Sequence, residues 1–465
     1  MTKRFFIETV GCQMNVLDSE LVAAGLLRAG YEPTGNPHGA DAILFNTCSV
    51  RQHAEDKIYS ALGRLKHVKE RHPEKIIAVL GCMAQKDREG IFRRAPHVDL
   101  VVGPGQLGRL GELFERVAAG KGPQLEISLD RTAADRRSIQ QSFASVDRTG
   151  GLPPRATPHQ AMVRIMFGCD KFCTYCIVPS VRGPEQSRPP AEIAAEIRSL
   201  AEAAQRAGTC LEVALLGQTV NSYRHRDGAG TTHLADLLLR LHPIDGLTRI
   251  KFVTNYPRHM TADLLAAVGD LPKVSPYLHV PAQSGSDAVL KRMKRGYSVG
   301  EYREMLARIR ETLPEAAVTS DFIVGFCGET EADFQATVDL VREGRFKNSF
   351  IFKYSPRPGT KAAERFADDV ADEVKRQRNN ALLKLQNAIS LELAEGLVGR
   401  SVEILVEGPS KASRRHEADR PTLQLTGRTT ADWIVVFEGP RTLVGQLAQV
   451  YVEEAAPFTL FGRLA

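Results

Sequence analysis

Short apolar runs alternate with amphipathic stretches through the first 120 residues of the chain. The apolar runs predict strands at Phe5–Val10, Asp41–Phe45 and Ile76–Leu80, and the stretches between them predict helices at about Asp18–Ala29 and Ala54–Glu70. Regular alternation of strand and helix implies right-handed crossovers and a parallel sheet. The sequence therefore predicts an N-terminal parallel α/β domain over residues 1–121.

A strand–helix unit then repeats six times between residue 160 and about residue 370. The predicted strands are Ala161–Phe167, Leu211–Leu216, Arg249–Val253, Tyr277–Val280, Val318–Val324 and Ser349–Lys353. The segments between them carry apolar residues at helical spacing. Six parallel strands with helices outside predict an incomplete (β/α)6 barrel over residues 159–392, with its chemistry at the carboxyl ends of the strands.

The remaining segments show other patterns of apolar and polar residues. Residues 122–158 show no sustained periodicity, so they are predicted to be a linker between domains. A long amphipathic helix is predicted at Val374–Gly396, and short β-branched runs separated by turns then predict a small β-barrel over residues 393–465. Its basic loop Lys411–His416 is a common feature of RNA-binding barrels. The predicted fold class is α/β with this small C-terminal barrel.

Length, charge and cysteine content narrow the class of protein. A chain of 465 residues implies two or three domains, and its net charge of +6 permits an RNA partner without requiring one. The chain has no 18-residue apolar run and no signal-peptide pattern, so we expect no membrane span and a cytoplasmic location. Eight cysteines suit metal ligands in a reducing compartment better than a disulfide framework.

Three cysteines spaced C-x3-C-x2-C follow the first strand of the predicted barrel, namely Cys169, Cys173 and Cys176. Three thiolates on so short a loop converge easily on one metal centre, and thiolates are the usual ligands of iron–sulfur clusters. A 4Fe–4S cube has four iron corners, so three cysteines leave one iron open to a small molecule. A zinc site and simple packing of cysteines in a core are the alternatives.

A second cysteine trio lies in the N-terminal domain. Cys12, Cys48 and Cys82 each follow a predicted strand by one to three residues. Because the carboxyl ends of parallel strands meet at one edge of a sheet, the three thiols are expected at one rim. We predict a second three-cysteine 4Fe–4S cluster there, again with one open iron. Buried cysteines in ordinary turns and a redox disulfide are the alternatives.

Longer segments around these cysteines resemble a known family. Gly168–Pro190, which includes Ile177–Gly183, is similar to the methylthiotransferases of the radical S-adenosylmethionine superfamily. Thr9–Asn15 and Asn46–Arg51 resemble the N-terminal domain of the same family. Thr426–Thr429 and the strand after it resemble the TRAM domain of RNA-modifying enzymes. The resemblance covers nearly the whole chain in domain order.

The resemblance implies an enzyme with two 4Fe–4S clusters and S-adenosylmethionine as cofactors. In that superfamily the open iron of the C-x3-C-x2-C cluster binds S-adenosylmethionine, whose reductive cleavage gives a 5′-deoxyadenosyl radical. The implied target is C2 of N6-isopentenyladenosine at tRNA position 37, with sulfur or methylthio presented by the second cluster and a methyl group from a second S-adenosylmethionine. Threonylcarbamoyladenosine in tRNA, a ribosomal-protein aspartate and a non-catalytic RNA-binding sensor remain as alternatives.

The resemblance also suggests binding residues and partners. Gln218, Asn221 and Gln283 lie at predicted strand ends and are expected to bind S-adenosylmethionine. The family usually carries proline where Cys327 stands, so this thiol is either neutral or a spare group near the pocket. The basic run Lys291–Arg295 is either a solvated helix end or a contact with RNA phosphates. The expected partners are the tRNA anticodon loop and a reductant such as flavodoxin or ferredoxin, and we expect a monomer.

Overall fold

The computed structural model describes residues 2–49, 52–127, 157–228, 230–413 and 422–465. These residues form two compact units. The first contains the described residues up to 127 together with Met166–Lys171 and Cys176–Arg188, and the second contains the other described residues. Most of the predicted linker 122–158, part of the basic loop 411–416 and residues 50 and 51 lie outside the described residues.

The first unit contains a six-stranded parallel sheet. Its strands are β1 (Arg4–Val10), β2 (Glu32–Pro33), β3 (Ala42–Thr47), β4 (Ile76–Gly81), β5 (Leu100–Val102) and β6 (Gln124–Glu126), in the order β2-β1-β3-β4-β5-β6. Its helices are α1 (Gln13–Arg28), α2 (Gln52–Arg71), α3 (Cys82–Asp87), α4 (Gly90–Arg94) and α5 (Leu110–Ala118). The predicted parallel α/β domain is confirmed.

Alternate residues of the central strands serve two separate cores. Ile43 and Val79 pack with α2 residues in one cluster, whereas Leu44 and Ala78 pack with α1 and α5 residues in another. Successive side chains of a strand point to opposite faces, so β3 and β4 are buried on both sides. Sequence analysis missed the short strands β2, β5 and β6, because runs of two or three residues carry little periodic signal.

The first unit also contains a short hairpin around the C-x3-C-x2-C segment. The predicted strand Ala161–Phe167 is interrupted at Ile165, which leaves β7 (Gln160–Arg164) and a two-residue strand β8 (Met166–Phe167). Strand β8 pairs antiparallel with β9 (Gln186–Ser187), and α6 (Val178–Arg182) lies between them in sequence. The prediction of one continuous strand was therefore wrong at its carboxyl end.

The second unit contains six parallel barrel strands in two three-stranded sheets. Strand β7 pairs with β10 (Leu211–Leu216), which pairs with β13 (Leu247–Phe252), and β14 (Tyr277–His279), β15 (Ala317–Val324) and β16 (Asn348–Lys353) form the other sheet. A hairpin of β11 (Arg224–Asp227) and β12 (Gly230–His233) follows β10. The helices are α7 (Pro190–Arg206), α8 (Leu234–Leu241), α9 (Ala262–Asp270), α10 (Asp287–Arg292), α11 (Val299–Thr312) and α12 (Glu331–Gly344). The incomplete barrel is confirmed.

The C-terminal part of the second unit is a closed five-stranded barrel. Two further helices, α13 (Lys361–Arg365) and α14 (Asp372–Glu395), precede it. Its strands are β17 (Ser401–Pro409), β18 (Thr422–Thr429), β19 (Ile434–Pro440), β20 (Leu447–Ala456) and β21 (Thr459–Leu464), in the closed order β17-β18-β19-β21-β20. The predicted small β-barrel is confirmed.

A turn of this small barrel contacts the amino-terminal ends of the large barrel's strands. Asp432 accepts a hydrogen bond from Lys251 Nζ at 2.9 Å and from Arg428 Nη1 at 3.0 Å. Lys347 donates to the Asp432 carbonyl at 2.6 Å and lies over the ring of Trp433. Burial lowers the pKa of Lys347 to about 7, against the opposing effect of Asp432. This network covers the amino end of the strands, while their carboxyl ends carry the predicted ligand residues.

Candidate active site

The N-terminal cysteine trio lies at one edge of the first sheet. Cys12 follows β1 by two residues, and Cys48 and Cys82 directly follow β3 and β4. Strands β1, β3 and β4 are neighbours in the sheet, as the sequence argument requires. Cys12 is exposed and hydrogen-bonded to Cys48, whereas Cys48 and Cys82 are buried.

Two asparagines organise the backbone beneath these thiols. The side-chain oxygen of Asn15 accepts from Cys12 Sγ at 3.2 Å, and its amide donates to Asn46 Oδ1 at 3.1 Å. Asn46 donates in turn to the Asn15 carbonyl and to Ser19 Oγ, both at 2.9 Å. A Cβ at Gly81, where φ is +86°, would lie 2.3 Å from Asn46 Oδ1. The glycine therefore allows the strand end to approach this buried network.

A buried arginine contacts the same edge. Arg182 donates from Nε to Cys82 Sγ at 3.2 Å and pairs through Nη2 with Asp18 at 2.7 Å. The side chains of both charged residues are at most 2% exposed. Arg182 Nη1 is buried and has no hydrogen-bond partner among the residues that the structure describes. A positive group with a spare donor beside two thiols fits a site for anionic sulfur.

The thiols of the trio differ in acidity. The hydrogen bond with Cys48 lowers the pKa of Cys12 to about 6, with a further contribution from the positive charge of Arg182. Burial raises the pKa of Cys82, although Arg182 opposes that effect. Thiolates are the form that binds iron. The donor set of this edge therefore suits a thiolate-ligated cluster, in which the Cys12 thiol ionises more readily than the Cys82 thiol.

The C-x3-C-x2-C segment places Cys169 and Cys173 in buried positions and leaves Cys176 half-buried. Gly168 has φ +73°, and a Cβ there would lie 2.1 Å from the Pro184 carbonyl oxygen. The chain therefore needs glycine immediately before the first cysteine, because no side chain fits this close approach.

A second buried arginine contacts this trio. Arg295 donates from Nη1 to Cys173 Sγ at 3.2 Å, and its Nε donates to the Tyr297 hydroxyl at 2.9 Å. Tyr297 donates to the Ala282 carbonyl at 2.8 Å, which ties this contact to the loop after β14. Each trio thus has one cysteine whose sulfur accepts a hydrogen bond from a buried guanidinium.

The thiols of both trios and the groups around them are chemically suited to bind iron–sulfur clusters. Within the described ranges, no group of three or more His, Cys, Asp or Glu side chains is arranged as a metal site. Ligation by the trio Cys12, Cys48 and Cys82 and by the trio Cys169, Cys173 and Cys176 therefore stays a prediction. Its support here is the thiol donor sets, their burial and the adjacent guanidinium groups.

The three residues predicted to bind S-adenosylmethionine have different environments. Asn221 bonds both ways with the backbone of Tyr256, accepting from its nitrogen at 2.7 Å and donating to its oxygen at 2.9 Å. Gln283 has φ +73°, and its backbone pairs with Asp321 and Ile323 on β15. Gln218 is half-buried just beyond β10. Cofactor binding by all three stays a prediction, and Asn221 also holds its loop in place.

Cys327 and the basic run Lys291–Arg295, which the sequence analysis also singled out, differ in how deeply their side chains are buried. Cys327 is buried with Met293, Phe326 and Tyr354 in a hydrophobic cluster, against which Tyr175 also packs, so both alternatives that the sequence left open stay predictions. In the basic run, Lys291 and Lys294 are exposed whereas Arg295 is buried against Cys173. The run is therefore neither uniformly solvated nor uniformly available to RNA.

Sequence reasoning missed the charged and amide partners of the cysteines. They are Asp18, Arg182, Arg295, Asn15 and Asn46. Their partners lie up to 164 positions away in sequence, and nothing in local periodicity marks a charged residue as buried. The nearest available signal was that Arg182 ends the segment Ile177–Arg182 inside the family-like stretch after Cys176.

Models of three protein families match successive parts of the chain. The "Uncharacterized protein family UPF0004" matches residues 4–103, the "Radical SAM superfamily" matches residues 163–341 and the "TRAM domain" matches residues 396–465. The radical S-adenosylmethionine methyltransferase TsrM from Kitasatospora setae has a similar fold, with a TM-score of 0.55 and 14% identity, covering 86% of this chain and 79% of that one. The fold and the matched domains define a radical S-adenosylmethionine enzyme, a class that implies a 4Fe–4S cluster and S-adenosylmethionine.

Curated relatives match the chain from end to end. A protein of Rhodopirellula baltica is 58% identical over 464 residues, covering 100% of this chain and 96% of its own length, and one of Moorella thermoacetica is 42% identical over 465 residues, covering 99% and 98%. Both are named tRNA-2-methylthio-N(6)-dimethylallyladenosine synthase. This chain belongs to that family.

Among the described residues, no helix is both long and apolar enough to span a bilayer.

The buried ion pair gives a stability prediction. Arg182→Met should lower the free energy of unfolding by about 3–5 kcal/mol, because it removes the guanidinium that pairs with the buried Asp18 carboxylate. Asp18→Leu/Arg182→Met should recover most of that loss, since two apolar side chains replace the pair. Urea unfolding followed by circular dichroism measures both effects.

Lys57→Met is the matched control within the same unit. Lys57 pairs with Glu8 at 2.9 Å but is 55% exposed, so its loss should cost less than about 1 kcal/mol. If Arg182→Met unfolds at the same urea concentration as Lys57→Met, the Arg182–Asp18 pair does not stabilise the domain as described.

Proposed function

We propose that this chain transfers a methylthio group to C2 of N6-dimethylallyladenosine, also called N6-isopentenyladenosine, at position 37 of tRNA. The observation that carries the proposal is the presence in one chain of a C-x3-C-x2-C segment and a second cysteine trio at one edge of a parallel sheet. The substrate comes from the shared name of the full-length relatives. The TRAM domain supports an RNA substrate.

The reaction requires chemistry that ordinary side chains cannot supply. An aromatic C2–H of adenine is too weakly acidic for removal by a side-chain base at neutral pH. The bound clusters and S-adenosylmethionine supply the reducing electron, the 5′-deoxyadenosyl radical and the sulfur carrier. In the overall change, the hydrogen of C2 would pass to 5′-deoxyadenosine, and cleavage of the first S-adenosylmethionine to methionine and 5′-deoxyadenosine would take up the two electrons released when the carrier's sulfur bonds to C2. A second S-adenosylmethionine would donate its methyl group to that sulfur and leave as S-adenosylhomocysteine.

The protein's own residues hold and shield these groups. In this proposal Cys169, Cys173 and Cys176 ligate the cluster that binds S-adenosylmethionine. Cys12, Cys48 and Cys82 ligate the second cluster. Arg182 and Arg295 each donate to one cysteine sulfur, which orients the side chain and stabilises its negative charge. Burial of four of the six thiols limits access of water and oxidants.

The partners and location follow from the same proposal. A tRNA substrate brings the anticodon loop to the enzyme and places the reaction in the cytoplasm. Reduction of the clusters requires an electron donor, for which flavodoxin or ferredoxin has suitable one-electron chemistry. We propose that the chain acts as a monomer.

Replacing the N-terminal trio should separate two activities. Cys12→Ala, Cys48→Ala or Cys82→Ala should abolish methylthiolation but leave reductive cleavage of S-adenosylmethionine, because only the second cluster loses a ligand. Cys169→Ala should abolish both. Cys210→Ala is the control, since Cys210 belongs to neither trio. Chromatography of 5′-deoxyadenosine and of tRNA nucleosides measures the two products, and full methylthio product from the N-terminal variants would refute the role of the second trio.

Deleting the gene tests the substrate directly. Nucleosides of total tRNA from cells with and without the gene should differ by loss of 2-methylthio-N6-isopentenyladenosine and accumulation of its isopentenyl precursor. Mass spectrometry measures both. If threonylcarbamoyladenosine lost its methylthio group instead, the chain would still be a methylthiotransferase, but its substrate would be that nucleoside. If the tRNA nucleosides were unchanged, the next candidate substrate would be a ribosomal protein.

A further inference from the structure

A cleft of about 440 Å³ opens beyond the carboxyl ends of β10 and β13. The segment after β10, the junction of β12 with α8 and the segment between β13 and α9 line it, and all three belong to the second unit. Asn221, whose side chain is bonded to the Tyr256 backbone, is among the lining residues, so the cleft adjoins a residue predicted to bind S-adenosylmethionine. The volume of the cleft lies within the range of pockets that hold small organic ligands, roughly 300–1,000 Å³.

The cleft has an apolar floor and a polar rim. Leu234 and Leu264 contribute to its lining although each is only 2% exposed, and so does Tyr223, which is 1% exposed. Thr261 and Asp263, at the start of α9, are exposed and line the same cleft. An apolar surface beneath exposed hydrogen-bonding groups suits a flat heterocycle that carries polar atoms along its edge.

Asp263 has acceptor capacity left for a ligand. Its exposed carboxylate makes no hydrogen bond or ion pair with any other residue that the structure describes. Thr261 is the N-cap residue of α9, but its side chain makes no capping hydrogen bond. An ionised carboxylate only accepts hydrogen bonds, whereas a hydroxyl both donates and accepts. The rim at Asp263 therefore favours a ligand edge that presents N–H donors.

Positive charge near the rim suits a nucleic-acid ligand. Arg224 and Arg226 are exposed at alternate positions of β11, so they lie on one side of the hairpin, although Asp227 ends the same strand. Exposed arginines attract RNA phosphates whatever the base sequence. Among the described residues that line the cleft, Asp263 is the only carboxylate, and it repels the same phosphates. A group that weakens binding of the backbone in this way has a role if it selects a base.

We propose that this cleft binds one unstacked base next to position 37 of the tRNA, and that Asp263 selects a base with an exocyclic amino group. This inference rests on the proposed function and adds a residue that reads RNA sequence. Proteins that recognise RNA sequence usually bind bases splayed out of loops. The base lies on the floor formed by Leu234 and Leu264, and its amino group donates to Asp263.

The same carboxylate disfavours uracil. Adenine, cytosine and guanine each carry an amino group that donates hydrogen bonds. Uracil presents a single N–H between two carbonyl oxygens, and these oxygens repel a carboxylate that approaches this edge. Asp263 therefore acts as a specificity-determining residue.

Binding of two RNAs tests the cleft apart from catalysis. The full-length reconstituted enzyme is titrated with two fluorescent anticodon stem-loops, both with N6-dimethylallyladenosine at position 37. The two bases that flank this position are adenines in one RNA and uracils in the other. The wild type should bind the adenine RNA at least about tenfold more tightly, because only adenine donates an amino group to Asp263.

Three variants separate the roles of the residues. Asp263→Asn should lower this ratio below about threefold, because an amide both donates and accepts and can also pair with uracil. Asp270→Asn is the matched control, since Asp270 is exposed at the other end of α9 and its replacement should leave the ratio unchanged. Thr261→Trp should weaken binding of the adenine RNA at least about tenfold, because the indole fills the cleft. Thermal unfolding followed by circular dichroism verifies that each variant is folded.

The possible failures are distinguishable. If the wild type binds both RNAs equally, or if Asp263→Asn discriminates as well as Asp270→Asn, Asp263 does not read a flanking base and the inference is wrong. Folded Thr261→Trp that binds the adenine RNA as tightly as the wild type would also overturn it, because the cleft would then be empty in the complex. Methylthio product from the adenine RNA, measured on the same wild-type enzyme, shows in each case that the proposed function stands. If this product is absent, the proposed function fails and the assignment of the cleft fails with it.

Discussion

Parallel strands end at a shared edge, and this constraint places the candidate chemistry of both units. In the N-terminal sheet, β1, β3 and β4 lie side by side, and a cysteine follows each of them within two residues. In the barrel, the segment with Cys169 follows β7, and Gln218 and Gln283 follow β10 and β14. The strand order thus brings residues that are far apart in sequence to a common rim.

Buried positive charge is the second feature that the two trios share. Arg182 and Arg295 each donate to one cysteine sulfur, and each is held by other polar groups, Asp18 in one case and Tyr297 in the other. A buried guanidinium is costly unless it is paired. Each guanidinium lies against a cysteine sulfur, where a negatively charged thiolate is expected. That negative charge offsets the cost of burying the guanidinium. The same arrangement limits how far either cysteine side chain can move.

The sequence predicted what strong local signals encode. Apolar runs located the main strands, and the strand ends then located all six cysteines of the two trios. It could not predict Arg182 or Arg295 as buried groups, because their partners Asp18 and Cys173 lie more than 100 positions away. The boundaries 1–121, 122–158, 159–392 and 393–465 stay predictions.

The central claim is that each cysteine trio holds its own cluster. Anaerobic reconstitution followed by iron and sulfide analysis and Mössbauer spectroscopy tests it without any substrate. The wild type should bind about eight irons per chain as two 4Fe–4S clusters, and Cys12→Ala/Cys48→Ala/Cys82→Ala should bind about four. If this triple variant retained the iron content and spectrum of the wild type, the N-terminal trio would not ligate a cluster, and the account of a second cluster at this sheet edge would be wrong.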